Sequence, residues 1–226
     1  MKKLEIACFS LKDALSAAEL GADRLEFCED YNSGGVTPNL EDFMVLRERF
    51  SDIPIHVMIR PRSGNFVHSE AEIELMTQQI TTFHQLGANG FVFGVLNENR
   101  AINTAACQKL IFAAQGKPCV FHRAFDELHD PIAALDTLMH LGFSGVLTSG
   151  GAATAMDGLS VLKQMQSHVE QQVQIVVGGG VRSSNIEKLL SSEAQWFHSA
   201  AWNKEKQILD EQEMLNMLNL IRNSNG

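Results

Sequence analysis

The sequence predicts a single (β/α)8 (TIM) barrel over residues 1–226, and three observations carry the prediction. Short β-rich runs alternate with stretches of helical periodicity along the whole chain. Glycines close several of the helices just before the next strand begins. The rival doubly wound sheet should carry a Gly-rich dinucleotide turn after its first strand, yet "CFSLKDA" at residues 8–14 has no glycine.

The elements follow in order. Strand candidates are "LEIAC" 4–8, "RLEFC" 24–28, "IHVMIR" 55–60, "GFVFG" 90–94, "PCVFH" 118–122, "GVLTS" 145–149, "VQIVVG" 173–178 and "QWFHS" 195–199. Leu11, Ala14, Leu15 and Ala18 mark one face of the first helix, and Ile73, Met76, Ile80 and Phe83 one face of the third. "GGVTPN" 34–39 reads as a turn before the second helix. "SEAE" 69–72 reads as a capping box, and "DPIAAL" 130–135 places an N-cap Asp before a first-turn Pro. "LGAD", "LGAN" and "LGFS" stop three helices at glycine. After the seventh strand, "GGGVRSSN" 178–185 leads to a helix capped by Ser183 or Ser184, and a last helix near 205–222 carries Leu215, Leu218 and Ile221. Eight units of about 28 residues are tight but sufficient for a barrel, and no linker or shift in composition divides the chain.

Bulk properties exclude several classes. The net charge is −9, and the 18 basic residues form no cluster longer than "KK", so a nucleic-acid partner is not expected. No apolar run is long enough to span a membrane, and "MKKLEIAC" is not a secretory signal, so the expectation is cytoplasmic. Cys8, Cys28, Cys107 and Cys119 are far apart with no C-x-x-C pair, as buried small hydrophobes of a reducing compartment would be.

Chemistry in such a barrel collects at the carboxyl ends of the strands. Alternate residues face the axis, which turns Glu5, Ala7, Glu26, Cys28, Arg60, His122, Trp196 and His198 inward and leaves Cys8 facing the helices. Arg62, Arg123 and Asp126 belong to the rim above. Buried charges need partners, so two readings stand side by side. One is an internal ion-pair layer, Glu26 against Arg60 for instance. The other is a functional pocket in which Glu26, His122 and Asp126 move protons. In the pocket reading Arg60 and Arg62, in "IRPRSGNF" 59–66, take a carboxylate or phosphate bidentately, though clamping of neighbouring loops accounts for the same pair. Glu5, Arg123 and His198 line the same mouth, and Gly179 and Gly180 expose backbone N–H groups for an anion at the start of the next helix. No lysine ends an inner strand, so Schiff-base chemistry lacks its nucleophile. No H-E-x-x-H metal signature occurs, and no organic cofactor is indicated.

"LEIACFS", "GADRLEFCED", "GGVTPN", "IRPRSGNF", "FHRAFDE", "LTSG" and "GGGVRSSN" resemble, in order, the signature blocks of the CutC copper-homeostasis family, over about residues 4–200. The resemblance implies a cytoplasmic barrel, a homo-oligomer with a homodimer as its expected form, and a role in copper homeostasis with Cu(I) as the metal. It assigns Cys28 as a copper ligand. At the other thiol position the chain has Ala7, and a single thiolate is a poor grip for Cu(I). His68 stands where the family commonly has Tyr, and reads as an exposed loop histidine. Three functions therefore remain open: copper handling through Cys28, an enzyme acting on a small phosphorylated or sugar-like molecule, and a scaffold whose inner charges are structural.

Overall fold

The structure is a computed structural model that describes residues 1–170 and 172–225. Eight parallel strands close into a barrel in sequence order: β1 (Lys3–Cys8), β2 (Arg24–Phe27), β3 (Ile55–Met58), β4 (Gly90–Phe93), β5 (Cys119–Phe121), β6 (Gly145–Thr148), β7 (Gln174–Val177) and β8 (Trp196–Ser199). Closure comes from β8 pairing with β1, which sets Glu5 opposite His198 and Lys3 opposite Trp196. The predicted strands overrun at their carboxyl ends: Cys28, Arg60, Gly94 and His122 lie just past the ladders, in the loops of the barrel mouth.

The helices between them are α1 (Leu11–Glu19), α2 (Leu40–Arg49), α3 (Glu70–Gln85), α4 (Thr104–Ala113), α5 (Pro131–Leu141), α6 (Leu159–His168) and α7 (Ile186–Leu189), with α8 (Glu211–Asn223) at the end of the chain. Their starts are written locally. Ser69 and Glu72 form the reciprocal capping box, and Asp130 caps α5 with Pro131 in its first turn. Two starts differ from expectation. The helix after β7 begins after Asn185 and is only four residues long, because Ser183 instead gives its N–H and hydroxyl to Glu213. The last helix begins at Glu211, since the residues before it form a two-stranded hairpin of β9 (Trp202–Asn203) and β10 (Ile208–Leu209).

Strand alternation separates two apolar layers. Outward residues such as Ile6, Cys8, Leu25, Phe27, Val57 and Phe121 pack under the helices. Inward, Cys28, Met58, Val92, Val120, Leu147, Val176 and Trp196 fill the barrel. Small inner residues make room for large ones. A Cβ on Gly90 would stand 2.5 Å from His56 Nε2, and one on Gly94 2.7 Å from His122 Nδ1.

Candidate ligand site at the barrel mouth

The first two strands and the last one build the charged centre. β1 and β2 pair Glu5 with Arg24, and β1 and β8 pair Glu5 with His198. Arg24 Nε donates to Glu5 Oε2. His198 Nδ1 lies 2.7 Å from Glu5 Oε1 and 3.3 Å from Glu26 Oε2. Glu5, Glu26 and Arg24 are buried, and the Arg24 guanidinium also lies over the Trp196 ring at 3.8 Å. Sequence parity places Arg24 on this inner face without marking it as a site residue. Its partner becomes visible only in the register.

The electrostatics follow from this packing. Burial raises the Glu5 carboxyl, but the Arg24 charge and the His198 hydrogen bond outweigh it and hold Glu5 well below the usual carboxylate range. Burial and the neighbouring Glu5 charge push Glu26 up instead. Burial alone would lower His198, and the two carboxylates raise it. The centre is thus an imidazole held between an ionised carboxylate and a more basic one.

Above it is a cavity of about 120 Å³, walled by Phe9, Met58, Phe66 and Leu147 and carrying Glu26, Cys28, Arg60, His122, Arg123 and His198. A second cavity of about 200 Å³ shares Arg123 and His198 with the first, and adds Gly179, Gly180, Arg182 and Ala200. Phe9, Tyr31 and Trp202 gather beside them, with Tyr31 stacked on Trp202 at 4.3 Å. These aromatics come from three distant segments of the chain, and no spacing in the sequence signals them.

The predicted residues divide. Glu5, Glu26, Arg60, His122, Arg123 and His198 are brought to the mouth together with Cys28, and Gly179 and Gly180 line the neighbouring cavity. Arg60 does not pair with Glu26. Its guanidinium donates to the carbonyls of Ser33, Gly35 and Gly64 and lies 4.8 Å from the Phe66 ring. Arg62 points away, to Glu72 and the Asn65 and Val67 carbonyls, so it clamps its own loop. Asp126 is spent on Thr148 Oγ1, the Ser149 and Gly151 N–H groups and Arg123 Nε, and does not line either cavity. His68, expected exposed, is buried beside Glu72. The four-residue α7 is too short for its dipole to contribute, and of the two glycines only Gly179 is set by close approach: a Cβ there would stand 2.9 Å from Ser149 Cβ and 3.1 Å from Arg123 Nη1, whereas Gly180 is set by its positive φ of 78°.

His122 caps the 3-10 turn Arg123–Glu127 and accepts the Ala124 N–H on Nδ1 at 3.3 Å. In the neutral ring the proton is then on Nε2, and that buried nitrogen has no partner among the described residues. Burial and the Arg60 charge lower its pKa to about 3, so the ring is a neutral donor at physiological pH.

The thiols do not form a pair. Cys28 lines the cavity, while Cys8 faces the helices with Sγ 3.6 Å from the Ile6 carbonyl, and Ala7 faces the cavity. Burial, and then the Glu26 charge, raise the Cys28 thiol well above its ordinary pKa, which disfavours the thiolate a soft metal needs. One thiol beside the Met58 thioether does not fit a thiolate-held Cu(I) centre.

Fold and site together define a (β/α)8 barrel with a buried carboxylate–imidazole centre under a polar cavity at its mouth. The comparisons make this specific. The CutC family model matches residues 2–202, and the chain belongs to the CutC family. A human copper homeostasis protein cutC homolog is 40% identical over 88% of this chain and 72% of its own length. A CutC family protein of Glaesserella parasuis is 39% identical over 92% of this chain and 86% of its own. A crystal structure of CutC from Streptococcus agalactiae superposes with a TM-score of 0.84 at 29% identity, covering 88% of this chain and 99% of that one.

Proposed function

We propose that this chain acts in copper homeostasis in the cytoplasm by binding a small anionic molecule, phosphorylated or sugar-like, at the barrel mouth, rather than by holding Cu(I) between thiolates. The copper role rests on family membership and on the name of the human relative. Four buried free cysteines are consistent with a reducing compartment.

One observation carries the ligand reading. Arg60 is a buried guanidinium on the cavity wall with no carboxylate in salt-bridge contact among the described residues, and only the charge of Glu127 acts on it from farther off. A buried cation is costly unless an anion answers it, and its three carbonyl acceptors orient it without cancelling its charge. The polar groups beside it suit hydroxyls. Glu26 Oε1 is a buried acceptor and His122 Nε2–H a buried donor, both unpartnered among the described residues. A polyol hydroxyl can donate to the first, and another can accept from the second.

A thermal-shift titration with inorganic phosphate, sugar phosphates and dicarboxylates tests this. One class should raise the melting temperature of the wild type in a saturable way. Arg60→Met should weaken that affinity at least tenfold while the circular dichroism stays native. A competition arm with a Cu(I) chelator completes the test: Cys28→Ser should hold Cu(I) no worse than the wild type. Cu(I) binding that vanishes with Cys28, with no anion response, reverses the reading.

A further inference from the structure

We propose that Glu5, Glu26 and His198 form a binding site for a divalent first-row transition-metal ion of the Zn2+ and Co2+ class, with its open coordination position turned toward the mouth cavity. This goes beyond the anion reading and does not depend on it.

The ligand atoms of these three side chains lie within 4.8 Å of one another. Two metal–ligand bonds of about 2.1 Å at a tetrahedral angle hold their ligand atoms about 3.4 Å apart. His198 Nδ1 and Glu26 Oε2 are already 3.3 Å apart. The His198 Nδ1–Glu5 Oε1 contact, at 2.7 Å, has to open by less than an ångström. A metal ion would replace the proton shared at that contact.

Three further features point to a site rather than a chance cluster. Glu26 is buried, and its Oε1 has no hydrogen-bond partner among the described residues, so a second acceptor lone pair is left at the centre. Arg24 takes Glu5 Oε2 and leaves Oε1 facing the histidine, the outer-shell arrangement that fixes a carboxylate ligand's direction. Glu26 and His198 also wall the cavity, so a fourth ligand can arrive from there. Three protein ligands with one open position make a reactive rather than a purely structural centre.

The donor set decides the class of metal. Carboxylate and imidazole suit Zn2+, Co2+, Mn2+ and Fe2+, whereas Cu(I) selects thiolates and thioethers. The ion's two positive charges, added to Arg24 and set against two carboxylates, leave one net positive charge. An anionic ligand entering from the mouth would complete it.

The test uses the full chain stripped of metal and titrated with Zn2+ and Co2+. Expected are one ion per chain by calorimetry, a saturable rise in melting temperature, and visible d–d absorption from Co2+ of the strength a four- or five-coordinate ion gives. Glu26→Gln and His198→Asn should each weaken Zn2+ binding at least a hundredfold, with native circular dichroism. Cys28→Ser and Arg60→Met should leave it unchanged, which separates this site from both a thiol site and the anion reading. Absence of stoichiometric Zn2+ uptake and of d–d bands in the wild type overturns the proposal without any variant. So does undiminished affinity in folded Glu26→Gln, or a sulfur-to-cobalt charge-transfer band that disappears with Cys28.

Discussion

His122 shows how burial selects the job a side chain can do. Its folded pKa of about 3, below the ordinary 6.5, keeps it neutral through the physiological range, so its Nε2–H is free to donate to a ligand and the ring is a poor proton carrier. The same shift is a statement about stability. As pH falls below 6.5 the unfolded chain takes up a proton that the folded ring refuses. The folded state's stability from this group is therefore complete above 6.5 and declines toward pH 3. Urea unfolding of wild type and His122→Gln, at pH 8.5, 7.5, 6 and 5, should show a constant difference above 7. Below 6.5 the wild type should lose ground by up to about 1.4 kcal/mol per pH unit. A difference that stays flat to pH 5 contradicts the neutral ring. Inward placement of this histidine, and of Glu5, Glu26 and His198, was readable from strand parity, because direction in a strand alternates residue by residue. Its tautomer was not readable, because the Ala124 N–H that sets it belongs to a turn with no sequence signature.

At the scale of elements, Asp126 fastens two strand ends. It sits in the 3-10 turn after β5 and receives the Thr148 hydroxyl and the Ser149 and Gly151 N–H groups from the end of β6, besides Arg123. A carboxylate can accept all of these, while an amide cannot. Asp126→Asn should cost roughly 1.5–3 kcal/mol in denaturant unfolding, the worth of hydrogen bonds to a charged group. It should also weaken anion binding only modestly, through the Arg123 that it positions. Complete loss of ligand response at unchanged stability would instead return Asp126 to a direct role. Asp126 and Arg62 lie in the loops after β5 and β3, but the sequence does not carry their directions. Parity ends where the strand ends, and loop side chains are aimed by partners elsewhere in the chain, Glu72 for Arg62 and Thr148 for Asp126. Helix starts were readable at Ser69 and Asp130, whose cap partners are local, and misread at Ser183, whose partner lies 30 residues away.

Across the whole molecule, the repeating strand–helix beat made the eight-stranded barrel legible, because each unit buries its own apolar face. The hairpin Trp202–Asn203/Ile208–Leu209 was hidden, since two-residue strands leave no periodicity to read. That hairpin and α8 close the molecule. Leu209 N donates to Asp13 Oδ1 in α1, and Asp210 N to the Ala201 carbonyl beyond β8. Met214, Met217, Leu218 and Ile221 bury one face of α8. From this anchored helix Glu213 reaches back to Ser183, taking its N–H and its hydroxyl at 2.7 Å each. Ser183 follows the Gly179–Gly180 turn that lines the second cavity, so the end of the chain positions a loop of the mouth. Glu213→Ala removes both bonds without touching either cavity. It should cost roughly 1–3 kcal/mol of global stability. Amide hydrogen exchange should quicken over residues 179–185 while the amides of β1 to β6 keep their protection, because local opening draws on local bonds. Faster exchange spread evenly over the barrel would mean that α8 supports the fold as a whole and does not hold the loop. Exchange at 179–185 equal to wild type would mean that the loop stands without it.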